Sequence, residues 1–122
     1  MEHLEPIEEA NRILKTHDGA YVLLWRYSAS LRRVVILVDA YRTRPALMIL
    51  AAGCTHYSGP TDWDNCALRA SVSGEVSQST GNNLHCLEDG NTGFRLLCQN
   101  LSVKTGLTDD LIGSLSQFDL KD

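Results

Sequence analysis

Apolar residues first recur at helical spacing. Ile7, Ala10, Ile13 and Leu14 fall on one stripe, after a start with proline and acids, Glu5-Pro6-Ile7-Glu8-Glu9. The spacing predicts a helix within residues 1–18, stopped at Asp18-Gly19. From 20 to 105 the period shortens. Tyr21, Leu23, Trp25 and Tyr27 alternate, which predicts a strand with these four side chains on one face. Residues 31–38 and 46–52 carry continuous apolar runs, expected of strands covered on both faces. Cys66, Leu68, Ala70 and Val72 alternate over 66–72. Two apolar segments, 84–88 and 94–98, flank the turn-forming Asp89-Gly90-Asn91-Thr92-Gly93 and read as a hairpin. Residues 101–104 predict one further short strand, and 74–83 an exposed loop. Thr108-Asp109-Asp110 opens either a short helix, with Leu111, Ile112, Leu115 and Phe118 on one side, or a frayed tail.

The connections between these strands are too short for parallel crossovers, which need a dozen or more residues each. The expected fold class is therefore α+β. An antiparallel sheet of about six strands curves or partly closes into a barrel, with the N-terminal helix on one face or end. The chain has 122 residues, enough for a single domain over 1–122 with a core of its own.

Charge refines this outline. The formal net charge is -4, which gives no global attraction to nucleic acid or anionic membrane. Aromatics and arginines interleave at Tyr21, Trp25, Arg26, Tyr27, Arg32 and Arg33, as on a base-stacking platform, but the same aromatics fit the core face of a sheet. Between Gly19 and Tyr57, five arginines oppose one acid, Asp39, so this stretch carries +4 within an acidic chain. Arg32, Arg33, Arg42 and Arg44 then form a candidate docking surface for an acidic partner, or simply the solvated side of strands. The start of the chain has no apolar run of the secretory kind. The longest strongly apolar stretch, Ala46 to Gly53, is far below the ~20 residues that span a bilayer. A cytoplasmic protein is expected, with Cys54, Cys66, Cys86 and Cys98 as reduced thiols.

The segment from Cys54 to Cys66 concentrates chemically able side chains: two thiols, His56, Tyr57, Asp62, Trp63 and Asp64. Loops held by strands are where sites are commonly built. Tyr57, Asp62, Trp63 and Asp64 are the candidate binding residues here, although Trp63 would serve equally as an apolar plug. Cys54, His56 and Cys66 supply the ligand types for zinc, but no CxxC or HxxxH spacing supports them. Cys54 with His56 and Asp62 or Asp64 holds the residue types of a thiol enzyme, without a surrounding signature. No GxSxG, HExxH or glycine-rich phosphate loop occurs. No cofactor is expected.

The passage Leu50-Ala51-Ala52-Gly53-Cys54, Pro60-Thr61-Asp62-Trp63, Cys66-Ala67-Leu68-Arg69 and Phe94-Arg95-Leu96-Leu97-Cys98 resembles small bacterial β-rich domains, some of them grouped with toxin-immunity proteins. That resemblance points toward a binding or structural protein more than an enzyme and transfers no catalytic residue. The functional expectation is a small soluble bacterial protein acting by binding, through a protein partner or as a homodimer. The alternative is a zinc-binding or thiol-dependent protein using Cys54 and His56.

Overall fold

The computed structural model describes residues 6–28, 32–39, 45–76, 81 and 83–113. Within them the expected N-terminal helix is α1, Pro6–Lys15. Glu8 and Glu9 lie in its first turn and Arg12 and Lys15 in its last, so both ends complement the helix dipole. Ala10 and Leu14 are buried, with Ile7 and Ile13 packed beside them.

Nine strands follow among the described residues: β1 Val22–Ser28, β2 Arg33–Val38, β3 Pro45–Ala52, β4 His56–Ser58, β5 Asp62–Trp63, β6 Leu68–Val76, β7 Asn83–Asp89, β8 Phe94–Cys98 and β9 Asn100–Leu107. Every pairing is antiparallel, as the short turns require. The single curved sheet expected from the sequence is replaced by two sheets, ordered β5-β1-β2-β3-β9 and β4-β8-β7-β6. Neither closes into a barrel among the described residues. The fold is mostly β, with α1 and a short helical stretch at 108–113, rather than α+β.

The reason for the difference lies at one corner. The chain first leaves the five-stranded sheet between β3 and β4, rejoins it briefly at β5, and returns for good between β8 and β9, where Gln99 alone is the link. Gln99 N–H reaches both the Ala52 carbonyl (3.0 Å) and the Gly53 carbonyl (3.3 Å), so the two crossings touch. Gly53 has φ of 66°, a conformation that favours glycine, and a Cβ there would lie 2.9 Å from the Gln99 side chain, which would have to move aside. Strands that change sheet at such corners keep their alternation, so hydrophobic patterning does not reveal the change.

The continuous apolar runs are covered on both faces, as expected. Val34, Ile36 and Val38 of β2, with Leu47, Ile49 and Ala51 of β3, pack into the core shared by the two sheets and α1. Val35, Leu37, Ala46 and Met48 face the other way and lie under Leu111 and Ile112 of the 108–113 helix. Leu115 and Phe118, read as extending that helix, lie outside the described residues. The β7–β8 hairpin forms around Asp89 as the turn residues indicate. β6 and β7 both reach into the stretch read as a loop, and β9 is twice the length expected. Cys66 precedes β6 instead of opening it; its N–H and carbonyl join Ala20 and Gly19.

Where the edges of the two sheets meet, the two sides differ. On one, α1 lies against β6 and β9. Asn11 of α1 brackets the Ala70 peptide, donating to its carbonyl (2.8 Å) and accepting from its N–H (2.7 Å). This occupies the free edge of β6, which would otherwise be open to pairing. On the other side β4 is the edge of its sheet and faces β1, which β5 covers only at Val22 and Leu23, and among the described residues no helix lies between them.

Candidate binding site

The open side holds a cavity of about 420 Å³. Leu24, Tyr27 and Val34 form its wall on the five-stranded sheet, and His56 and Tyr57 of β4 the opposite wall. Cys54, Thr55 and Thr61, from the links at either end of β4, complete it. A β-bulge between Leu24 and Arg26 makes this wall possible. Leu24 pairs with Ile36 and Tyr27 with Val34, so Leu24 and Tyr27 share the inward face. Strict alternation would have put Leu23, Trp25 and Tyr27 together. The bulge instead turns Leu23 toward the Leu37 face and leaves Trp25 as the extra residue, 41% exposed. Tyr27 is 58% exposed and forms the rim.

The back of the cavity is closely packed. Tyr57 donates its hydroxyl to the Pro60 carbonyl (2.7 Å) and meets Phe94 edge-on at 5.3 Å between centroids. Phe94 then stacks at a tilt on Trp63, 4.8 Å away. Gly59 permits the β4–β5 link to cross Phe94, because a Cβ there would come within 2.7 Å of the Phe94 Cα. Trp63 is 8% exposed and donates its indole N–H to Asp89 Oδ2 at 2.7 Å. Asp89, 1% exposed, also accepts from Ala67 N–H (3.0 Å) and Asn91 N–H (2.8 Å). A buried carboxylate with three N–H donors is fully engaged, and it fixes the indole in place.

The candidate residues therefore separate. Tyr57 lines the cavity and Trp63 stands in the core behind it. Asp62 is exposed and accepts the Tyr21 hydroxyl at 2.6 Å, a bond that raises the pKa of that phenol. Asp64 lines a second, polar hollow of about 320 Å³ with His17, Asp18, Tyr21 and Asp39. There Asp18 takes a two-pronged bond from Arg69 (2.9 and 2.8 Å), which holds its carboxyl below the usual range. Arg32 is exposed at the entry to β2, and Arg33 is the half-buried first residue of that strand. Arg42 and Arg44 lie outside the described residues. Leu24, Val34, Thr55 and Thr61 were not candidates from the sequence, and Tyr27 stood out only among the interleaved aromatics of β1. The one signal pointing to them was the run of aromatics in β1, and the bulge conceals which of its residues face inward.

The thiols are set against ionisation. Burial pushes Cys54 up to about 11, although the Arg32 guanidinium and the Val34 backbone pull the other way. Burial carries Cys98 to about 12 and raises Cys66 and Cys86 as well. Cys54 is thus a neutral wall of the cavity and not a poised nucleophile. Cys66 donates to the His17 carbonyl (3.2 Å) beside the end of α1 and does not join Cys54 and His56. Among the described residues no three His, Cys, Asp or Glu side chains are placed to share a metal ion. Nor is any described helix long and apolar enough to cross a membrane. No family model, curated protein or solved structure matches the chain.

Proposed function

We propose that the protein acts by binding a protein partner, without catalysis, and that the partner inserts an apolar side chain into the cavity between β1 and β4. The observation that carries this is the cavity itself: apolar walls from two sheets, a rim made by a largely exposed Tyr27, and a back held by the Tyr57–Phe94–Trp63 row. Its volume of about 420 Å³ admits a large side chain together with part of its neighbours, and anchors of an interface seat in apolar pockets of this kind. The protonated Cys54 adds carbon-like surface instead of reactivity. The resemblance to domains grouped with toxin-immunity proteins supports the same direction.

The test uses N-acetylphenylalaninamide, a neutral stand-in for such an anchor, titrated while amide and aromatic resonances are followed. Shifts are expected at Tyr27, Tyr57 and Thr61. They should vanish in Thr61→Phe, which fills the cavity from an exposed position. Shifts elsewhere, or shifts that persist unchanged in Thr61→Phe, would count against the cavity as the working surface.

A further inference from the structure

Arg32 has a backbone φ of 53°, in the left-handed region where an L side chain is crowded by its own carbonyl. Among the described residues the other two non-glycine residues there are Asp39 and Asn65, types that tolerate it. Glycine would occupy position 32 at lower steric cost, so the fold gains nothing locally from arginine. The backbone of Arg32 is tied to the cavity, because its carbonyl accepts the Cys54 N–H at 2.9 Å. Its side chain is exposed, and its positive charge favours the ionised form of Cys54, one of the cavity walls. Arg12, Arg69 and Arg95 each hold a carboxylate, from Glu9, Asp18 and Glu88. Among the described residues no carboxylate pairs with Arg32. Among the described residues no Asp or Glu lines the cavity, and along the sequence the stretch from Gly19 to Tyr57 carries +4.

Building on the docking role of the open side, we propose that Arg32 reads a carboxylate at the mouth of the cavity, so the partner segment is acidic, with an Asp or Glu beside the apolar side chain that fills the pocket. A planar guanidinium matches a carboxylate two-pronged, which a backbone-only turn with glycine cannot do. The strained arginine is then kept for recognition and not for stability.

The experiment selects a displayed library of random heptapeptides on the full chain and on Arg32→Gly. On the parent, recovered peptides should share a large apolar residue with Asp or Glu within two positions of it. The acidic residue should be enriched about tenfold, the ratio one charge-assisted contact supplies. On Arg32→Gly the apolar residue should remain, the acidic enrichment should disappear, and the thermal midpoint should equal or exceed that of the parent. Apolar peptides without acids on the parent, or acids that persist on Arg32→Gly, would overturn the role of Arg32 and leave the docking reading standing. A lower thermal midpoint in Arg32→Gly would show that the arginine serves the fold, and would overturn it too. Recovery of no peptide that perturbs Tyr27 and Tyr57 would sink both. A sedimentation dimer dissolved by Tyr27→Asp would give the cavity to a second copy and overturn the acidic partner.

Discussion

The two sides of this sandwich solve the same problem differently. Each is a place where the edges of two twisted sheets come together over apolar residues. On the β6–β9 side, α1 fills the gap: Leu14 is 1% exposed, and Asn11 occupies the β6 edge with two hydrogen bonds. On the β1–β4 side the gap stays open as a cavity of about 420 Å³, with Tyr27 at its rim. Burial alone would favour covering both, since apolar area removed from water contributes about 25 cal/mol per Å². On the proposed reading, the side that no described residue covers, backed by a packed aromatic row, is a docking surface. Stability would then reside on one side and recognition on the other. Substitutions should divide along that line.

The strongest break in the comparison is behind the open side. Asp89→Ala would strand the buried Trp63 and half-buried Ala67 N–H donors and leave that of exposed Asn91 to water. Each unsatisfied donor costs about 1–3 kcal/mol, so a loss of at least about 2 kcal/mol is expected in urea unfolding. Freed of its anchor, Trp63 should lose its fixed packing on Phe94, and the near-UV circular dichroism of the indole should weaken at temperatures where the variant is still folded. A loss below 1 kcal/mol would mean that the open side is not rigidly backed, and that its cavity is a fluctuation and not a built pocket.

These groups also show which parts of the structure were legible beforehand. The Asp89–Gly93 turn dictates its hairpin through local backbone chemistry, and β2 and β3 show burial on both faces through unbroken apolar runs. Such signals are local, and sequence carries them. The cavity is not local: Tyr27 and Tyr57 lie on different sheets and meet only because the chain changes sheet at Gly53 and Gln99. The bulge at Trp25 reverses which residues of β1 face inward, and no spacing rule marks it. Trp63 and Asp89, 26 positions apart, are joined by a hydrogen bond that neither flanking sequence announces. The segment from Cys54 to Cys66 stood out for its reactive side chains, yet burial neutralises Cys54, and Tyr57 contributes chiefly its ring.

A smaller effect is expected on the closed side. Asn11→Ala removes both bonds to the Ala70 peptide while leaving Ala10 and Leu14 to hold the helix in place. Two neutral hydrogen bonds at a half-buried site should be worth about 1–2 kcal/mol together, seen as a lower urea midpoint at unchanged slope. The same change uncovers the β6 edge, so light scattering should detect concentration-dependent association in the variant that the parent lacks. A variant that stays monodisperse would show that α1 blocks the edge by bulk and not by its asparagine.

The smallest effect on stability should fall at Tyr27, and it sharpens the comparison most. The residue is 58% exposed and pairs with Val34 in β1–β2, so Tyr27→Thr keeps a side chain suited to a strand while removing the ring. Surface changes of this kind stay within about 0.5 kcal/mol. The cavity, however, loses its aromatic rim, and an aromatic contact contributes about 0.5–1.5 kcal/mol beyond area. N-acetylphenylalaninamide should therefore bind roughly three- to tenfold more weakly while the thermal midpoint barely moves. If the midpoint fell by several degrees and binding did not change, the assignment of stability to one side and recognition to the other would be reversed at the residue where it is most exposed to test.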